Sequence, residues 1–297
     1  MKNFNGKVAV ITGAGSGFGL EVARIAAREG MKLVLLDVQA DALERAAAEF
    51  AGSDLIARRI DVSKADQMEG LAKEVAERFG APHFVFNNAG VGAGGLIWEN
   101  SVADWEWVLG VNLMGVVHGV RLFTPMMLAA ARTDAAYEGH IVNTASMAGL
   151  LAPPNMGVYN VSKHGVVALT ETLHQDLALV TEQVRCSVLC PYFVPTGIAH
   201  SERNRPEGQA AAQNTRSQRV GAKMIEQAVN HGKLTAADVA AMVFESMREE
   251  RFYILTHPQA MGGVKERMTD ILENRNPSDP FAAVPALGEQ LRGALRG

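Results

Sequence analysis

The stretch Lys7-Val8-Ala9-Val10-Ile11-Thr12-Gly13-Ala14-Gly15-Ser16-Gly17-Phe18-Gly19 decides how this chain folds. Its first six residues form a short, β-branched, apolar run, the composition of a strand covered on both faces. Glycine follows at 13, 15, 17 and 19, and a helical stretch then opens with apolar Leu20, Val22, Ala23, Ile25, Ala26 and Ala27. A strand, a glycine turn and a helix bring bare backbone N–H groups and the positive end of a helix to one point, where a pyrophosphate can bind. Glycine is needed because a β-carbon would block the tight turn and the approach of the ligand. The spacing G-x-G-x-x-G does not fit: Gly13 and Gly15 would require glycine at Phe18, and Gly15 and Gly17 at Leu20. What fits is T-G-x-x-x-G-x-G from Thr12 to Gly19, with Gly13, Ser16, Gly17, Phe18 and Gly19 as candidate cofactor contacts.

Outward from this point, strand-like and helix-like segments alternate, the pattern of a parallel sheet covered on both sides. Strands are expected near 7–12, 32–37, 54–60, 83–87, 139–145, 184–190 and 251–256. Helices are expected near 19–29, 41–51, 65–79, 103–131, 157–181 and 235–249, the last opening on a capping box, Thr235-Ala236-Ala237-Asp238. Right-handed crossovers then predict an α/β fold, a Rossmann-type doubly wound parallel sheet of about seven strands, with ligands at the carboxyl ends. The 297 residues read as a single domain. Residues 199–232 are polar, break the alternation, and are expected to form a lid over the substrate. Residues 258–297, with Pro258, Pro277, Pro280 and Pro285, form a C-terminal extension with a weak helical stretch near Val264–Glu273. A subunit interface, a pocket border and a frayed end are all open to that tail.

Two further patterns carry chemistry. Tyr159 and Lys163 stand four apart, so on a helix they share one face, and Ser146 lies thirteen residues before the tyrosine. A free phenol, with a pKa near ~10, is a poor base at neutral pH, but a neighbouring cation favours its ionised form. The pair suits proton exchange with an alcohol or a carbonyl. At the end of the second expected strand stands Asp37, whose carboxylate can accept from adenosine ribose hydroxyls and repel a 2′-phosphate. No Lys or Arg occupies Ser16, Val38 or Gln39, so NAD is the expected cofactor.

Thr12–Gly19, Asn87-Asn88-Ala89-Gly90, Asn112, Ser146, Tyr159 and Lys163 together resemble the motif set of the short-chain dehydrogenase/reductase family, in its order and spacing. The resemblance is dense over about residues 5–200 and loose over 233–256. It implies that Tyr159 exchanges the proton, Lys163 holds the nicotinamide ribose and lowers the tyrosine pKa, Ser146 binds the substrate oxygen, and Asn112 anchors a proton-relaying water. It also implies cofactor contacts from Asp61 and Val62 to adenine, from Asn88, Ala89 and Gly90 on the adenosine side, and from Pro191, Val194 and Thr196 to the carboxamide. Tyr192 departs from the family's P-G-x-V-x-T by replacing its glycine, and can present a ring to the substrate. Relatives pair the helices near 103–131 and 157–181 across a two-fold axis, which implies a homodimer or homotetramer.

Composition narrows the rest. A net charge of −4 gives no broad positive field, so nucleic acid is not an expected partner. The two cysteines, Cys186 and Cys190, fall roughly 13 Å apart along a strand, too far for a disulfide. They read as buried thiols of a reducing, cytoplasmic compartment. The apolar stretch Val111–Ala131 contains Asn112, His118, Arg121 and Pro125, so no membrane span is expected. No metal-binding or esterase motif appears among the His, Cys or Ser positions. Candidate substrate contacts are Ser146, Met147, Leu150, Met156, Tyr159, Tyr192, Phe193 and Ile198, mostly apolar, which suits a hydrophobic alcohol or ketone. A dinucleotide-binding regulatory protein without turnover is the alternative. A sugar-nucleotide epimerase is disfavoured by the glycine spacing.

Overall fold

A computed structural model describes residues 1–206 and 215–296. Residues 207–214, the middle of the expected lid, lie outside the described residues. Seven strands form one parallel sheet: β1 (Val8–Thr12), β2 (Lys32–Asp37), β3 (Leu55–Arg59), β4 (Phe84–Asn87), β5 (Gly139–Thr144), β6 (Val184–Cys190) and β7 (Tyr253–Leu255). Their order is β3-β2-β1-β4-β5-β6-β7. Ile11 is in register with Leu35 on one side and with Phe86 on the other. The chain thus builds outward from β1 in both directions, and the carboxyl ends of β1 and β4 flank the switch point where such sheets bind ligands.

Alternate residues of β1 explain why the strand is apolar throughout. Ala9 and Ile11 enter a core with α1 (Gly17–Arg28) and α8 (Ala236–Glu249), through Ala23, Ala26, Val243 and Phe244. Val8 and Val10 enter the opposite core with α3 (Ala65–Phe79), α5 (Gly115–Thr133) and α6 (Gly157–Val180), through Met68, Val75, Phe123, Met127 and Leu177. With helices on both faces there is no solvent side for polar residues to occupy. The expected capping box of α8 is present: Asp238 N donates to Thr235 Oγ1 at 3.1 Å, and Thr235 N donates to Asp238 Oδ2 at 2.8 Å.

Three regions go beyond the sequence expectation. The helix expected over 103–131 is α4 (Val102–Leu109), one π-helical turn (Gly110–Met114), and then α5. Such a turn inserts a residue into the helical ladder and is frequent at functional sites. By length and composition alone the run Val102–Thr133 could cross a membrane. Here it packs on the sheet and on α3 and α6, with Asn112 and His118 buried and Arg121 paired to Glu69 at 2.6 Å. The polar segment after β6 contains a 3-10 stretch (Gly197–Asn204), with a kink at His200, and α7 (Arg216–Asn230). The C-terminal extension forms α9 (Met261–Leu272) and α10 (Pro285–Arg296) and is tied down. Val264 joins a third core cluster with Met147 and Val188, and Arg216 Nε on α7 donates to Ala294 O at 2.6 Å.

Candidate active site

The glycine turn adopts backbone conformations that exclude side chains. Gly13 has φ +65° and Gly17 φ +56°, and a β-carbon on Gly19 would lie 2.1 Å from Gly13 O. Gly19 therefore sits beneath the turn and shapes it, while Gly13, Ser16, Gly17 and Phe18 line a cleft. Ser16 is the N-cap of α1 and makes no side-chain capping bond, so its hydroxyl does not occupy the amide donors of the first turn. Those donors and the helix dipole suit an anion.

The walls of the cleft come from the neighbouring strands. Thr12 Oγ1 accepts from Asn88 N at 2.8 Å and Ala89 N at 2.9 Å, which ties the segment after β4 to the turn. Asn88 Nδ2 donates back to Thr12 O at 3.1 Å. Asp37 ends β2 with each carboxylate oxygen receiving a backbone N–H at 2.9 Å, Oδ2 from Gly15 and Oδ1 from Gln39. Asp37, Val38, Asp61, Val62, Asn88, Ala89 and Gly90 all border the same cleft. The chain thus offers anion-binding amides, a carboxylate at the carboxyl end of β2, and small residues between them. This donor set fits a dinucleotide, with Pro191 and Thr196 bordering its far end. Val194 instead turns into the core beside Val22 and Leu189.

Tyr159 and Lys163 lie one turn apart on α6 and face that far end, both buried. The Lys163 ammonium is 5.7 Å from the centre of the Tyr159 ring and donates to Thr144 O at 2.9 Å. Burial holds the Tyr159 phenol above its ordinary value, opposed by a hydrogen bond with Ser146. Burial lowers Lys163 to about 8, opposed by the nearby Cys190 thiol. In the fold, desolvation of the Tyr159 phenol outweighs the Ser146 hydrogen bond that favours its ionised form. Ser146 caps the turn after β5, accepting from Ala148 N at 3.1 Å and donating to Pro191 O at 3.4 Å.

Asn112 occupies the π-helical turn, and its amide is engaged by the chain. It accepts from Val91 N at 2.8 Å and donates to Val91 O at 2.9 Å and Ser162 Oγ at 3.1 Å. A β-carbon on Gly90 would be 3.4 Å from Asn112 Oδ1 and 3.6 Å from Lys163 Nζ, so all three converge. Asn112 straps the segment after β4 to α6 beneath the lysine.

The substrate-side residues separate into two groups. Ile198 borders the cleft with Tyr159. Met147 and Leu150 pack instead in the third core cluster, against Val264. Met156 is the N-cap of α6 and bridges to Gly95. Tyr192 is half-exposed, with its ring 4.3 Å from that of Phe193 and 5.8 Å from that of His257. Cys186 and Cys190 are both free and buried. Sequence reasoning missed Gln39, Trp107, Val111, Ser201, Arg203 and Asn204, which also line the cleft. Their only sequence signal was proximity to Asp37 and Asn112 or position in the polar segment after β6.

Comparison with known proteins agrees with this geometry. A family model described as short chain dehydrogenase matches residues 7–207. A crystal structure of a short chain dehydrogenase/reductase from Burkholderia phymatum in complex with NAD is 55% identical. It superimposes with a TM-score of 0.91, covering 95% of this chain and 100% of that one. A CLA biosynthesis dehydrogenase/reductase of Lactiplantibacillus plantarum is 33% identical over 283 residues, 93% of this chain and 97% of the relative. A cyclohexanol dehydrogenase of Acinetobacter sp. (strain SE19) is 34% identical over 196 residues, 65% of this chain and 75% of the relative.

Proposed function

The chain belongs to the short-chain dehydrogenase family, and from that premise we propose that it interconverts a hydrophobic secondary alcohol and its ketone using NAD. The observation that carries this reading is that Tyr159 and Lys163 line the cleft that also holds the glycine turn and Asp37, with Ser146 hydrogen-bonded to the Tyr159 phenol. Bound there, the nicotinamide supplies the acceptor or donor of hydride. What the chain supplies is control of a proton. Tyr159 exchanges it with the substrate oxygen, and its neutral phenol at ordinary pH is a proton donor ready for a ketone. Ser146 binds the same oxygen and stabilises negative charge there, helped by the dry surroundings. Lys163, fixed by the Thr144 carbonyl, holds a positive charge beside the phenol. Asn112 positions Lys163 by locking Val91 and Ser162 to each other.

NAD, rather than NADP, is supported by Asp37 at the end of β2 and by the NAD bound in the Burkholderia structure. The apolar Ile198, Trp107 and Val111 support a hydrophobic substrate, as does the likeness to a dehydrogenase named for an alicyclic alcohol. Two buried thiols are in keeping with a reducing cytoplasm. The experiment is to follow reduced-nicotinamide absorbance across a panel of alcohols, with wild type and Tyr159→Phe. Turnover in wild type, with loss of several orders of magnitude in Tyr159→Phe and unchanged NAD binding, is expected. Retained activity in the variant would assign the proton to another group. NAD binding with no turnover on any substrate would favour the regulatory alternative.

A further inference from the structure

Arg203 is a cation of the cleft wall that the proton chemistry leaves unused. It lies in the 3-10 stretch after β6 and folds back on it, with Nη1 donating to Gly197 O and His200 O, each at 2.8 Å. The other terminal nitrogen rests over Gly197, where an added β-carbon would fall 2.5 Å from Nη2. The missing side chain at Gly197 therefore makes room for the guanidinium. Among the described residues no carboxylate is paired with it, since its only recorded partners are neutral carbonyls. The neighbouring Arg205 is committed to Asp104 and Glu202. Arg203 consequently stands exposed at the lip of the cleft without a carboxylate beside it.

Two contacts locate it along the cleft. Thr196, next to Gly197, has its methyl 3.5 Å from the point where a β-carbon of Gly17 would stand, at the N-terminus of α1. Asn204 Oδ1 accepts from Gln39 Nε2 at 2.5 Å, two residues beyond Asp37. Arg203 lies on the strand of chain between these two contacts, over the interval that separates the helix N-terminus from the Asp37 turn. A dinucleotide spanning this cleft would carry its diphosphate in that interval. Amides of α1 would meet the diphosphate from one side and a guanidinium from the other, a pairing suited to planar, bidentate recognition of phosphate oxygens.

We infer that Arg203 is a cofactor-binding residue that clamps the diphosphate from the segment after β6, which makes Gly197–Asn204 a strap over the cofactor. The inference rests on the NAD reading above. It is tested by calorimetric titration of the full chain, wild type, Arg203→Gln and Arg203→Lys, with NAD, ADP, adenosine and NADP, alongside the unfolding midpoint of each protein. The expected result is a loss of ten- to a hundredfold in NAD and ADP affinity in Arg203→Gln, the loss of one or two charge-assisted hydrogen bonds. Arg203→Lys should lose less, while adenosine affinity and the midpoints stay unchanged. Equal weakening of adenosine and ADP would overturn the inference by assigning Arg203 to packing of the segment. Weakening confined to NADP would overturn it by placing the guanidinium at the 2′-position. Unchanged ADP affinity would overturn it outright. Wild type that binds no NAD would remove the cofactor reading itself, whereas wild type that binds NAD as tightly as Arg203→Gln would remove only the clamp.

Discussion

The segment that carries Arg203 is held to the domain by an ion pair whose loss should be measurable. Arg205 Nη2 and Asp104 Oδ1 are 2.8 Å apart, with side chains only 8% and 7% exposed, and the guanidinium lies 4.2 Å from the centre of the Trp107 ring. Glu202, the second partner of Arg205 at 2.9 Å, is 65% exposed and adds little. Breaking a buried pair by removing one partner costs about 3–5 kcal/mol when the remaining charge is stranded. Asp104 would not be fully stranded in Arg205→Met, because Oδ2 still accepts from Ser101 N at 2.9 Å and Ser101 Oγ at 2.8 Å. The low end, about 3 kcal/mol, is therefore expected, since methionine also keeps a contact with the indole. The assay is a double-mutant cycle with Asp104→Asn in urea unfolding, supplemented by amide exchange across 197–206. A coupling of about 2 kcal/mol is expected, against at most ~1 kcal/mol for exposed pairs. Burial works to raise the Asp104 carboxyl, but hydrogen bonds from Ser101 and the Arg205 guanidinium outweigh it and hold the group below its usual range. A depressed carboxyl contributes stability that is present above its unfolded pKa, about 4, and is lost as pH falls through the folded value. The gap between wild type and Arg205→Met should accordingly narrow in acid. A coupling under ~0.5 kcal/mol, or a gap that widens in acid, would refute the latch.

Three further outcomes are expected. Asp37→Ser should bring NAD and NADP affinities together by removing a repulsive charge. It should also weaken both cofactors, because Gly15 N and Gln39 N lose their shared acceptor; equal affinities in wild type would overturn the assignment. Lys163→Met should be more stable than wild type at pH 7, since burial lowers the lysine from 10.5 to about 8. That shift corresponds to about 3 kcal/mol of unfavourable burial, present below pH 8 and relieved as pH rises toward the unfolded value, so unfolding at pH 7 and pH 10 should show the gap closing. Light scattering at micromolar concentration should report a dimer or tetramer, because α6 leaves Val161 and Leu179 44% and 83% exposed; a monomer would reject the assembly.

Legibility in the sequence tracked how local each determinant is. The inner strands β1, β2 and β4 were visible as short apolar runs buried on both faces, the edge strands β3 and β7 from shorter apolar runs beside exposed Arg58, Arg59 and Tyr253, and the glycine turn because its glycines are close in sequence. The break in the 103–131 helix was not, since the π-helical turn depends on Asn112 meeting Val91, 21 residues away. Helix α7 was hidden for a related reason. It docks through Gly221 against Gly94 and through Ser217, whose Oγ accepts from Leu96 N and donates to Glu99, contacts with residues more than 100 positions away. The substrate end was the least legible. Met147 and Leu150 follow Ser146 closely in sequence, yet the C-terminal α9 supplies Val264 as their partner and draws them into the core.

The same long-range packing determines the state of Tyr159 and Lys163. Sequence reasoning placed a cation beside a phenol and expected the phenol to ionise more readily. The fold adds desolvation, which raises Tyr159 and lowers Lys163, so each group is driven toward its neutral form. At neutral pH the tyrosine therefore keeps its proton, which is the form that can give one to a ketone oxygen. Running the reaction as an oxidation requires the phenol to shed that proton first. With chemistry rate-limiting, alcohol oxidation should climb through the alkaline range while ketone reduction stays level near neutrality. A charge-favouring site would flatten the oxidation profile instead. The two profiles therefore tell whether burial or the neighbouring ammonium governs the working phenol.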